Sequence, residues 1–178
     1  RVVVHPEDEL SLRRIVNYPA RQIGDTTITR LTRYALANQV TFAEALSRID
    51  TIDDVPDAAR AGARRLLGAI AEARRGFATG ALESTAKKLF DDVGLARQLT
   101  EDAGPSGQRR WGNIEYVLRS LARFAESGKK RSIDEFLVRL TLDVDSEAEK
   151  TGERVTLSSL HASKGLEFDV VFFIGLVE

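Results

Sequence analysis

Apolar residues recur at three- and four-residue steps along most of this chain, and that period predicts helices. Leu10, Leu12, Ile15 and Val16 make the first set, between the His5-Pro6 break and Asn17-Tyr18-Pro19. Gly24 then permits a tight turn, Asp25, Thr26 or Thr27 can cap, and Ile28, Leu31, Ala35 and Leu36 mark one face of a second helix. Thr41 and Glu44 have capping-box spacing, so a short helix begins at Phe42. Pro56 suits a first helical turn, and the Ala/Arg/Leu-rich run after it predicts a long helix to Arg75, closed by Gly76, with Gly62 and Gly68 inside it.

A further helix is expected over about 81–92, with Leu82, Ala86, Leu89 and Phe90 on one face and Gly94 as its C-terminal cap. The segment Ala103-Gly104-Pro105-Ser106-Gly107 reads as a loop. Trp111, Ile114, Val117, Leu118, Leu121 and Phe124 then form an amphipathic stripe up to Gly128, in which Trp111 reads as core rather than as a base-stacking platform. Ser132 and Glu135 repeat the capping-box spacing ahead of Phe136, Leu137 and Leu140.

The ends differ from this body. Val2-Val3-Val4 reads as the end of a buried strand, residues 143–152 as an acidic linker, and Val155 to Leu160 and Val170 to Ile174 as two strands. The expected class is mainly α: a helical insertion subdomain with short α/β strand segments at both ends.

Composition narrows the functions open to it. With 43% hydrophobic and 30% charged residues and a formal net charge of −1, the chain has the balance of a globular protein that folds in water. No apolar run approaches a membrane span and no signal peptide is visible, so a cytoplasmic location without membrane partners is expected. Zero cysteines and two distant histidines, His5 and His161, argue against a metal site. Positive charge is locally dense in Arg13, Arg14, Arg21, Arg30 and Arg33, and again from Arg109 to Arg131. Each run is either a nucleic-acid surface or a solvated helix face.

The densest candidate chemistry is His161-Ala162-Ser163-Lys164-Gly165-Leu166-Glu167 at a predicted strand exit. Gly165 lets the backbone approach a phosphate or sugar, Ser163 and Lys164 offer a hydroxyl and an ammonium to anionic oxygens, and Glu167 can accept from a ribose hydroxyl. Composition alone favours an ordinary polar loop between strands over a ligand site.

The run Leu160 to Phe168 followed by Val170-Val171-Phe172 resembles motif V of superfamily 1 helicases of the UvrD/Rep/PcrA type. Pro6 to Asn17, with Pro19, Arg21, Ile23-Gly24 and Thr27, is similar to the segment after motif IV of the same family. The order matches, and the helical stretch between corresponds to the 2B subdomain, an insertion in the second RecA-like domain, 2A. The resemblance implies residues 1–18 as an N-terminal piece of 2A, 19–152 as 2B, and 153–178 as the return into 2A.

It further implies that His161, Ser163 and Lys164 face single-stranded DNA and that Gly165 and Glu167 lie at the nucleotide, with Lys164 alternatively holding the loop. Arg21-Gln22-Ile23-Gly24-Asp25-Thr26-Thr27 resembles the family's Gly-Ile-Gly turn that grips duplex DNA, with Gln22 in place of the first glycine. Arg21, Ile23, Gly24, Thr26 and Thr27 are therefore the candidate duplex contacts, with Arg21 as a counter-charge, and a plain turn capping a core helix is the alternative.

No Gly-x-x-x-x-Gly-Lys-Ser/Thr phosphate loop occurs, nor an Asp-Glu pair after a buried strand. The chain is thus expected to be an excised piece of an ATP-dependent 3′→5′ DNA helicase acting in replication or repair. ATP and Mg2+ are expected in the whole protein and none on this piece, which is expected to be inactive alone. DNA and repair or replication proteins are the expected partners. The alternative is a helical protein-interaction or regulatory module, of a helicase or helicase-nuclease, that never touches DNA.

Overall fold

The computed structural model describes residues 1–101, 104–126, 132–146, 155 and 157–174, with side chains outside 141–146. Helix α1 (Glu9–Ile15) starts at Asp8, whose carboxylate accepts from the Ser11 N–H. Helix α2 (Asp25–Asn38) starts at Gly24, not at Asp25, Thr26 or Thr27. Helix α3 (Phe42–Ser47) carries the full capping box, Thr41 and Glu44 each bonding the other's backbone, as their spacing predicts.

A single 3-10 turn (Ile49–Thr51) leads to α4 (Asp57–Ala78), a 22-residue helix with Pro56 as its N-cap. The helix runs through Gly76 rather than ending there. The reason is packing: a Cβ at Gly76 would fall 2.4 Å from Thr85 Oγ1, so glycine lets α5 (Leu82–Asp92) lie against α4. Gly94 has φ +76° just beyond α5, as expected of a C-terminal cap.

Two elements depart from the sequence pattern. A short helix, α6 (Leu95–Thr100), follows Gly94 and buries Leu99. Residues 104–107, expected as loop, form the first turn of α7 (Gly104–Glu126). Pro105 fits there, as the second residue of the helix, because the N–H groups of a first turn have no intrahelical partner to lose. Trp111 is only partly buried, with its Nε1 donating to Glu115 Oε1 at 3.0 Å. Leu36, expected on the inner face of α2, is 76% exposed. Helix α8 (Ile133–Ser146) opens with Ser132 Oγ accepting from the Glu135 N–H at 3.1 Å and takes in residues 143–146 of the expected linker. Gly128 and 147–152 lie outside the described residues.

Residues 1–143 form one compact unit built on two apolar clusters. The first joins Val2, Leu12, Val16, Ile23, Leu31, Phe42, Leu46, Ile49, Leu66 and Ile70, so the N-terminal eighteen residues share their core with the helices that follow. The second joins Leu82 and Ala86 of α5, Leu118, Leu121 and Phe124 of α7, and Phe136 of α8, with Phe77 packed against it. Phe124 and Phe136 meet at 5.4 Å between centroids. Helix α4, roughly 33 Å long at 1.5 Å per residue, reaches both clusters.

The strand expectation for Val2-Val3-Val4 is overturned. The segment is a turn, with Val4 N–H donating to the Arg1 carbonyl at 2.8 Å, and Arg74 of α4 donates to the carbonyls of Val2 and Val3. An arginine takes the acceptors that a neighbouring strand would have used. Residues 144–178 form a second unit, and its described residues include no strand ladder at 157–160 or 170–174. A strand exists only by pairing, and among the described residues nothing pairs with these. The mainly α class stands, and the described residues at either end include no strand segment.

Candidate functional site

The turn between α1 and α2 is over-determined from below. Asn17 Oδ1 accepts from the backbone N–H of Arg21 at 2.8 Å and of Ile23 at 3.1 Å. The Arg21 guanidinium, 7% exposed as a residue, donates to three carbonyls: Ile15 at 2.8 Å, Pro19 at 3.0 Å and Val93 at 2.8 Å. Burial lowers the Arg21 pKa, and the positive charge of Arg65 adds to the shift, yet a guanidinium stays protonated under all ordinary conditions. Ile23 is fully buried and Thr27 is 4% exposed.

Above this base the helix end is open. The N–H groups of Asp25, Thr26 and Thr27 precede the first intrahelical bond, Ile28 N–H to the Gly24 carbonyl at 3.0 Å, and among the described residues no side chain caps them. Gly24, Asp25 and Thr26 are exposed, and a Cβ at Gly24 would meet nothing within 4 Å. Five candidate duplex residues are thus brought together in two roles. Gly24 and Thr26 face outward, whereas the side chains of Arg21, Ile23 and Thr27 point into the fold. Arg21 is not a free counter-charge, because its donors face carbonyls.

Other arginines in the basic N-terminal run are also engaged internally. Arg13 bonds Glu9 and Thr32 and stacks over the Phe42 ring at 4.0 Å. Arg30 bonds the Asp54 carbonyl. Arg14 and Arg33 are exposed, as are Arg109, Arg110, Arg119 and Arg123 on α7, where Arg119 lies 3.9 Å from Glu115. Lys129, Lys130 and Arg131 lie outside the described residues.

In the second unit, Ser159 closes one turn of helix. Its carbonyl accepts from Ser163 N–H at 3.0 Å and its Oγ from Ala162 N–H at 3.2 Å. Gly165 has φ +90°, and Leu166 N–H returns to the Ser163 carbonyl at 3.0 Å. His161, Lys164, Gly165 and Glu167 are exposed and Ser163 is half-buried. Bare backbone at a left-handed glycine and an exposed carboxylate suit the phosphates and ribose of a nucleotide. Among the described residues no three His, Cys, Asp or Glu side chains group into a metal site, and no helix is long and apolar enough to cross a membrane.

The UvrD-like helicase C-terminal domain matches this sequence over residues 1–178. The chain belongs to that family. Among its relatives are the ATP-dependent DNA helicase PcrA of Bacillus subtilis (strain 168), 30% identical over 187 residues, covering 100% of this chain and 25% of the relative. DNA helicase II of Rickettsia typhi is 31% identical over 180 residues, covering 100% of this chain and 26% of the relative. DNA helicase II of Escherichia coli (strain K12) is 26% identical over 182 residues, with 100% and 25% covered. This UvrD-like domain therefore spans about a quarter of the length of the relatives it matches.

Sequence reading missed three residues that build the α1–α2 turn. Asn17 lay within the family resemblance without a role. Gly62 figures in the sequence pattern only as a glycine inside the long helix, although a glycine inside a strong helix is itself a sign of close packing. Val93 acts through its carbonyl from 72 positions away in sequence, and no side-chain pattern reports that.

Proposed function

We propose that this chain is the helical 2B subdomain, residues 19–152, with its flanking 2A segments 1–18 and 153–178, of an ATP-dependent 3′→5′ DNA helicase. Its work is to grip the duplex ahead of the junction and regulate unwinding in replication or repair. The observation that carries this reading is the uncapped, exposed N-terminus of α2 in a UvrD-like helicase domain.

Amides at a helix start attract anions, and a backbone donor grips a phosphate regardless of base. Gly24, Thr26 and the amides of Asp25 to Thr27 make the contact, while Arg21, Ile23 and the Thr27 side chain hold the turn. Asp25 supplies an opposing charge, which keeps the grip weak and suits a subdomain that must release DNA at each step.

At the other end, His161, Ser163 and Lys164 face the single strand, and Gly165 and Glu167 contribute to the nucleotide site of the whole helicase. ATP with Mg2+, when bound there, supplies phosphoryl transfer to water as the driving reaction. This chain's own groups only bind and orient.

Duplex binding by the 178-residue chain, followed by fluorescence anisotropy across a salt series, tests the reading. Affinity is expected to weaken with a log–log slope of about −0.9 per phosphate neutralised, and Thr26→Glu, which adds a charge at the helix start, is expected to weaken it further. Absence of binding at low salt overturns the DNA role. It would favour the protein-interaction reading, which draws on the internal engagement of Arg13, Arg21 and Arg30.

A further inference from the structure

The Arg21 guanidinium ties the α1–α2 turn to the junction between α5 and α6. Two of its bonds are local, to Ile15 and Pro19, but the third reaches the Val93 carbonyl at 2.8 Å. Val93 is the C-cap residue of α5, and Gly94, with φ +76°, is the pivot from which α6 departs. The planar fork of a guanidinium fixes direction as well as distance, so the position of Val93 and that of the Arg21 backbone are set together.

On the other side, Gly62 of α4 seats the same residue, since a Cβ there would fall 2.2 Å from the Arg21 carbonyl oxygen. Two residues on from Arg21, Ile23 is fully buried, and Gly24 begins α2. A change of backbone at Gly94 therefore has a short route, through the Val93 carbonyl and the buried side chains of Arg21 and Ile23, to the helix start at the exposed residues Asp25 and Thr26.

We propose that Arg21 is a positioning residue for the duplex-gripping end of α2, and that the Val93-Gly94 junction controls that grip through it. The inference rests on the duplex-binding reading above and assigns Arg21 no phosphate. It also makes the α5–α6 junction a place where a movement of one half of the helical body would be felt at the DNA.

The test compares four variants of the 178-residue chain by duplex anisotropy over a salt series, with affinities corrected for the folded fraction. Arg21→Lys keeps the charge but cannot reach three carbonyls. Gly94→Ala strains the junction without filling any space, since nothing lies within 4 Å of its Cβ position. Gly80→Ala imposes the same kind of strain at φ +85°, also in open space, on a residue with no bond to Arg21. Thr26→Glu disturbs the contact itself.

Arg21→Lys and Gly94→Ala are expected to weaken binding about three- to tenfold, the size of one displaced phosphate hydrogen bond, with the salt slope unchanged. Gly80→Ala should leave affinity as it is. In heteronuclear NMR spectra the Gly24 and Thr26 amide signals should move in Gly94→Ala and stay in Gly80→Ala. A slope shallower by about 0.9 in an Arg21 variant makes Arg21 a direct phosphate contact and overturns the proposal. Equal losses in Gly80→Ala and Gly94→Ala overturn it too, as general destabilisation. If Thr26→Glu weakens binding and neither Arg21→Lys nor Gly94→Ala does, the duplex reading stands and the positioning role falls. If the unmodified chain binds no duplex, both fall.

Discussion

Gly62 of α4 lies directly under Arg21: a methyl group placed on Gly62 would sit 2.2 Å from the Arg21 carbonyl oxygen and 3.0 Å from its Cβ. The obstacle is backbone, so it cannot swing aside as the tip of a side chain would. Gly62→Ala gains roughly 0.8–1 kcal/mol of helix propensity but meets an overpacking cost of about 1–3 kcal/mol, and the clash should win. Gly68, in the same helix, has nothing within 4 Å of its Cβ position, so Gly68→Ala should stabilise by about 0.4–1 kcal/mol. Thermal unfolding of the two variants should move in opposite directions, and a stabilised Gly62→Ala would contradict the close seat.

A second close approach joins the halves of the helical body. At Gly76 a Cβ would meet Thr85 Oγ1 at 2.4 Å and Cγ2 at 2.7 Å, and a β-branched side chain has little rotamer freedom with which to yield. Gly76→Ala alone should cost about 1–3 kcal/mol. In a Thr85→Ala background both crowding atoms are gone, and most of that cost should vanish, giving a favourable coupling of about 0.5–3 kcal/mol in a double-mutant cycle. Additive effects would mean that α4 and α5 do not touch at this point.

These two glycines also show what was and was not legible in the sequence. The long α4 run, the Thr41–Glu44 box and the Gly94 cap were readable because each depends on neighbours within four residues. Gly62 reads only as a glycine inside a strong helix and Gly76 as its end, because their partners, Arg21 and Thr85, are known only once helices pack. The loop expectation at 104–107 failed because Gly and Pro mark a helix start as readily as a loop. Helix α6 offers only Leu95 and Leu99 at helical spacing, too short a pattern to register. At the site, the exposed Gly24 and Thr26 follow from the turn signature. The burial of Arg21 does not, since its acceptors are backbone carbonyls that leave no trace in side-chain identity.

Acid should loosen the helix starts in a calculable direction. Hydrogen bonds from the Thr41 backbone N–H and then its hydroxyl lower the pKa of Glu44, and bonds from the Ser11 hydroxyl and then its N–H lower that of Asp8. Both carboxyls bind protons less readily folded than unfolded, so their contribution is fully present above the ordinary carboxylate pKa of about 4 and is lost as pH falls through the depressed folded values. Melting temperature should therefore decline below about pH 4. Removing the Thr41 hydroxyl by Thr41→Ala should lower stability by about 1 kcal/mol near neutrality. The variant should also show a shallower acid decline, because one of the bonds that depress the Glu44 pKa is gone. Parallel declines in the two proteins would disprove the link to Glu44.

The Ser159–Leu166 turn makes the last prediction, because it holds the proposed strand-facing and nucleotide-facing groups on either side of one glycine. Ser159 fixes the first half through Ala162 and Ser163, and Gly165 at φ +90° returns the chain so that Leu166 N–H reaches the Ser163 carbonyl. An alanine at 165 must adopt a backbone region that costs an L-residue roughly 1–2 kcal/mol, although nothing crowds its Cβ. Gly165→Ala should therefore leave the Leu166 amide about tenfold less protected from hydrogen exchange, and Ser159→Ala should do the same to Ala162 by removing its acceptor. If the turn orders both faces, each variant also lowers ATP hydrolysis and single-strand affinity when carried in the full-length helicase. Faster exchange with both activities intact would show that the turn is only a linker between them.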